Sequence, residues 1–127
     1  MPLQIDVKEE KTGLYVVAPT GRLDTDTAPE FEKRLQGILS KEVRAVRFDM
    51  AALSYISSMG IRALFKAFKA LRQQKAMFVM VGLQPQIKKV LEIAQALPPQ
   101  AVFASVQEAD AYFDAMQRKA LGQTEDA

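Results

Sequence analysis

Neither cysteine nor histidine occurs among the 127 residues. Without cysteine there is no disulfide framework and no thiolate metal site. Without histidine the commonest general base and metal ligand are missing, and a Ser-His-Asp triad cannot be assembled from this chain. Long apolar runs are missing too: the longest is a few residues, against the ~20 that a membrane helix needs, so no direct membrane insertion is expected. The N-terminal MPLQIDVKEEK carries acidic residues and no apolar core of a signal peptide, which predicts a cytoplasmic location. No charge of one sign dominates. Seventeen basic against fifteen acidic residues leave +2, too near neutral to argue for nucleic acid or an anionic membrane. Neither GxGxxG nor the GxxxxGK phosphate loop is present, which speaks against a nucleotide-hydrolysing enzyme.

What is present is an ordinary globular mix, 49% hydrophobic and 25% charged, in a length that suits one compact domain. That domain is expected over residues 1–118, with 119–127, small and polar, as a flexible tail. LQIDVKEE alternates Leu3, Ile5 and Val7 against polar residues, as a half-buried strand does. LYVVA reads as a second, more central strand three residues on, so the two should form an antiparallel hairpin, interrupted near Pro19. Phe31, Leu35, Ile38 and Leu39 fall on one helical stripe, with Thr27 and Glu30 spaced as a capping box. Val46, Phe48 and Met50 mark a third strand. Ile61, Leu64, Phe65, Phe68 and Leu71 mark a second helix, AMFVMVG a central strand, and Ile87, Val90, Leu91 and Ala94 a third helix. AVFA reads as a last short strand. Ser105 and Glu108 form another capping box, and Val106, Ala109, Phe113 and Met116 the last helical stripe. Met50, Met77, Met80 and Met116 are expected to fill core gaps.

Strands alternating with helices imply right-handed crossovers and a mostly parallel sheet, mixed because of the hairpin. In such sheets, sites gather beyond the carboxyl ends of parallel strands. The loop Gly21 to Thr27 and the junction Ser54 to Gly60 should therefore be neighbours. Within the junction, Ser57 and Ser58 admit two readings. One is a helix cap, worth ~1 kcal/mol. The other is a phospho-acceptor at a helix start, where free N–H groups and the dipole favour an anion. Asp24 and Asp26 offer polar contacts to a partner, or fill a turn; with no other clustered carboxylate, no metal site is expected. Arg62, Lys66, Lys69 and Gln73 form either a solvated face or a basic stripe that could dock an acidic surface.

GRLDTDTAPEFEKRL, VRAVRFDMAALSYISSMGIRALFKAFKALRQQ, AMFVMVGLQPQIKKVLEIAQAL and VFASVQEADAYF together resemble the STAS domain of stand-alone anti-sigma-factor antagonists, over about Leu3 to Met116. The resemblance implies an α/β STAS fold: a mixed, mostly parallel sheet of about five strands with about four helices. It implies a binding module rather than an enzyme, with no cofactor. The unphosphorylated protein would bind an anti-sigma factor that is also a GHKL-type serine kinase, freeing a sigma factor or other target. Phosphorylation at the start of the second helix would release it, and a PP2C-type phosphatase would reset it. Aligned on Gly60, the acceptor falls on Ser58, with Ser57 as the alternative, and the family's loop aspartate on Asp24. Ser57 stands where the family usually carries aspartate, and Met59 where it carries a small residue. The partner surface would combine Arg22, Leu23, Asp24 and Thr25 with Ser57, Ser58, Met59 and Gly60, and with Arg62 and Lys66. A non-switching STAS subunit, as a transporter accessory or signalling scaffold, is the alternative.

Overall fold

A computed structural model describes residues 3–96 and 106–122, apart from the side chains of 95, 96 and 106–109. Two strands open the chain, β1 (Gln4–Lys11) and β2 (Leu14–Leu23), paired antiparallel as expected. Gly13 turns between them with φ +81, a conformation that suits glycine. Helix α1 (Ala28–Leu39), strand β3 (Ala45–Asp49), strand β4 (Leu53–Ile56), helix α2 (Ser58–Gln73) and strand β5 (Met77–Val81) follow. Helices α3 (Pro85–Ala96) and α4 (Val106–Ala120) complete the described elements. The strands run in the order β1-β2-β3-β5, with β4 paired to β2 beyond β3. All pairings except β1–β2 are parallel. This is the mixed, mostly parallel α/β sheet that the pattern predicted. The expected strand at 101–104 and the Ser105/Glu108 capping box lie outside the described residues.

β2 does two jobs along its length. Its first half, Leu14 to Val17, pairs with β3, and its last residues, Gly21 to Leu23, pair with β4. Pro19 sits at the exchange. The strand itself continues through it and stays paired to β1, where Pro19 faces Ile5, so the predicted interruption is confined to the parallel side. Strand β4 was not legible as a strand. It is four residues long and buries Leu53 and Ile56 rather than alternate positions, so no period of two emerges.

The core is one cluster built from the inward stripes. Phe31 of α1, Phe48 of β3 and Phe78 of β5 stack in sequence, with ring centroids 6.3 and 5.1 Å apart. Val46, Phe48 and Met50 are buried together, as are Ile87, Val90 and Leu91, with Ala94 half-buried. Three expectations are corrected. In α2 the inward face uses Ala63 and Ala67 beside Ile61, Leu64 and Leu71, while Phe65 and Phe68 are exposed. The alanines let the helix lie close, which rotates the stripe, and Phe68 packs edge-on against Phe78 instead. Met77 is no core filler but 64% exposed. Strand β5 lies next to β3 in the sheet, and its other side is unpaired among the described residues. Finally, Thr27 and Glu30 form no capping box. Thr27 has helical backbone angles and makes no side-chain cap, because its hydroxyl turns back into the preceding loop.

Candidate functional site

The site forms where β2 and β4 end side by side. Their register sets Arg22 opposite Tyr55 and Leu23 opposite Ile56. The loop after β2 and the start of α2 are therefore adjacent, as the topology predicted. The Ser57 N–H donates to the Leu23 carbonyl at 2.9 Å. Gly60 is buried against the same residue: a Cβ there would stand 2.8 Å from the Leu23 carbonyl oxygen and 2.8 Å from its Cγ. The backbone that needs a glycine is the chain's own.

The loop is locked by its own polar groups. Asp24 Oδ1 accepts from the N–H of Asp26 and of Thr27, both at 3.0 Å. Thr27 Oγ1 accepts from the Asp24 N–H at 2.8 Å and donates to the Arg22 carbonyl at 2.9 Å. Such an Asx-type arrangement holds the turn ahead of α1. Arg22, among the last residues of β2, lies over the Tyr55 ring, 3.9 Å from its centroid, a cation–π contact. Burial pushes the Tyr55 phenol above its ordinary value, and Asp114 and Asp110 add to the shift. Arg22 opposes it, and Asp24 adds to it slightly.

The two serines have different roles. Ser57 is 2% exposed and extended (φ −95, ψ 176), and its Oγ accepts from the Gly60 N–H at 3.2 Å. It is the N-cap of α2. Ser58, the next residue, is half-buried, and both its polar groups meet one carboxylate. Its N–H donates to Asp110 Oδ1 at 2.9 Å and its Oγ donates to the same oxygen at 2.6 Å. Thr25 Oγ1 reaches the other carboxylate oxygen at 3.4 Å. Asp110 thus bridges the loop and the junction from α4. Two helical turns along that helix, the buried Gln117 accepts from the Ile56 N–H at 3.0 Å and donates to the Ile56 carbonyl at 2.8 Å. It completes the side of β4 that has no strand beside it among the described residues.

Of the remaining predicted residues, Leu23, Ser57 and Gly60 are buried and support the site from beneath. Arg22, Thr25, Arg62 and Lys66 are exposed, Asp24 is half-buried, and Met59 is half-buried against the core. Lys66 reaches Glu32 of α1 at 3.5 Å, a surface pair of small energetic weight. Sequence reasoning missed Asp110, Tyr55 and Gln117. The one signal for the α4 pair was that Asp110, Phe113 and Gln117 share a helical face around a residue correctly placed in the core.

The STAS domain pattern matches residues 6–109. The chain is 32% identical over 93 residues to the anti-sigma-B factor antagonist of Listeria monocytogenes, a match that covers 73% of this chain and 82% of that one. Among solved structures, an anti-sigma factor antagonist from Mycobacterium paratuberculosis superimposes with a TM-score of 0.64 at 18% identity, covering 88% of this chain and 94% of that one. The Bacillus cell fate determinant SpoIIAA in its phosphorylated form superimposes with a TM-score of 0.63 at 16% identity, covering 86% and 98%. At these identities the structures show the fold alone, but they agree with the pattern that spans most of the chain: this protein belongs to the STAS domain family.

Proposed function

We propose that this protein is an anti-sigma factor antagonist and works as a partner-switching binding module rather than an enzyme. Unphosphorylated, it binds a GHKL-type anti-sigma factor kinase in the cytoplasm and frees that partner's target. Transfer of the ATP γ-phosphate to Ser58 Oγ, with ADP leaving, ends the complex, and a PP2C-type phosphatase hydrolyses the phosphate to restore binding. The named Listeria relative supports the general role. One observation carries the site: of two adjacent serines, Ser57 is a buried cap and only Ser58 reaches the surface, near the exposed Arg22 and Thr25 and the exposed Arg62 and Lys66 of α2. Losing contacts at such a desolvated interface costs ~2–5 kcal/mol, against ~0.3–1 kcal/mol regained from the helix dipole. Binding should fall about 30-fold or more.

Intact mass with site mapping, before and after incubation with the candidate kinase and ATP, tests this. Wild type should gain one phosphate at Ser58, Ser58→Ala none, and Ser58→Asp should fold yet bind weakly. Full phosphorylation of Ser58→Ala would remove Ser58 from the role. The Asp110 carboxylate against Ser58 favours a second reading, a STAS subunit that never switches, since it opposes an incoming phosphoryl group. That reading predicts no phosphate on Ser58 in cells and partner binding indifferent to Ser58→Asp.

A further inference from the structure

Helix α4 grips the β4–α2 junction by two polar side chains on one face, with the buried Phe113 between them. The grips differ in kind. Gln117 is neutral and holds the Ile56 peptide, which no modification touches. Asp110 is a carboxylate and holds the hydroxyl and N–H of Ser58. Together with Ser57 Oγ on Gly60, it occupies two of the N–H groups that open α2.

Phosphoryl transfer from ATP to Ser58 forms the Oγ–P bond, breaks the bond from the γ-phosphorus to the departing ADP, and passes to the kinase's base or to solvent the hydroxyl proton that is now donated to Asp110. That hydrogen bond is lost. In its place a group carrying about −1.5 to −2 charges arises against a carboxylate. Their separation is well inside the ~8 Å over which salt screens charges. The phosphate now on Ser58 also competes for the Ser58 N–H that Asp110 occupies, since anions are favoured at a helix start. We infer that Asp110 is a latch that docks α4 on the unmodified Ser58 and is expelled by its phosphate. Modification then reshapes the partner surface by releasing α4, beyond adding charge to it. The released segment is the Asp110 end, while Gln117 retains its neutral hold on Ile56.

The inference rests on Ser58 as the phospho-acceptor, so its test installs the phosphate without a kinase. Phosphoserine is encoded at position 58 of the full chain during translation, with and without Asp110→Asn, and amide hydrogen exchange is read by NMR. Amides in the Asp110 to Asp114 turns of α4 should exchange about 10- to 100-fold faster in the phosphorylated chain. Asp110→Asn should restore most of the protection, because an uncharged amide can donate to the phosphate. Unmodified Ser58→Ala keeps the N–H bond to Asp110 and should change α4 exchange by only about threefold. Amides of β2 and β3 are the internal standard. Equal α4 protection with and without phosphate overturns the latch, and so does an equal loss throughout the sheet. A kinase that ignores Ser58, while the encoded phosphate still frees α4, would refute the acceptor assignment and leave the latch standing.

Discussion

Replacing glycine by alanine should move stability in opposite directions at two helical positions. Gly37 lies in α1 with nothing within 4 Å of where a Cβ would sit. Alanine there gains helix propensity and restricts the unfolded chain, together ~0.5–1 kcal/mol. Gly60, in the first turn of α2, has the same propensity to gain. Its Cβ, however, would stand 2.8 Å from the Leu23 carbonyl oxygen, 2.8 Å from Leu23 Cγ and 2.9 Å from Ile56 Cγ1. Contacts between carbon atoms favour roughly 3.5–4 Å, so something must yield by about half an ångström or more. The carbonyl cannot simply retreat, because it holds the Ser57 N–H at 2.9 Å, and Leu23 and Ile56 are fully buried. Overpacking of this kind costs ~1–3 kcal/mol, more than propensity returns. Gly60→Ala should therefore lose about 1–2 kcal/mol. With urea slopes of ~1–3 kcal/mol/M, its midpoint should fall by about 0.5–1 M while that of Gly37→Ala rises by a few tenths. A Gly60→Ala midpoint at or above wild type would show that α2 is not pressed against Leu23, and the seat of Ser58 would need rebuilding.

Ser57→Ala should lose about 1–2 kcal/mol in urea unfolding through the lost cap, while phosphate still maps to Ser58 by mass; an unchanged midpoint would contradict the cap. Gln117→Leu leaves the Ile56 N–H and carbonyl buried without partners, at ~1–3 kcal/mol each, so thermal or urea unfolding should show a loss of several kcal/mol. A loss under about 0.5 kcal/mol would mean that α4 does not complete β4. Ultraviolet difference titration of wild type against Tyr55→Phe should show the Tyr55 phenol ionising above the ordinary 10.0. Because the folded state holds that proton more tightly than the unfolded chain, stability from Tyr55 is full below pH 10 and falls as pH rises through the folded value. Arg22→Ala should push the ionisation higher still, since the guanidinium opposes the shift, and a downward move would refute the stacking geometry.

The sequence by itself determined the parts of this protein whose causes are local. The period-two face of β1, the apolar run of β2 and the stripe through Phe31, Leu35 and Ile38 record which side of each element meets the core. The order of elements then forced a parallel sheet and set the Gly21–Thr27 loop beside the serine junction. Full-length resemblance singled out Ser58. The tertiary structure decided what periodicity does not encode. Alanines turned α2 so that Phe65 and Phe68 face outward, and β4 became a strand only because the end of β2 was free to pair with it. Thr27 lost its cap when Asp24 and Arg22 offered its hydroxyl closer partners. Above all, the contacts of Asp110 with Ser58 and of Gln117 with Ile56 span 52 and 61 positions. Polar pairs so distant leave no period in the chain. They exist because α4, once its apolar residue Phe113 is buried, carries those two side chains to backbone groups that no strand or helix had satisfied.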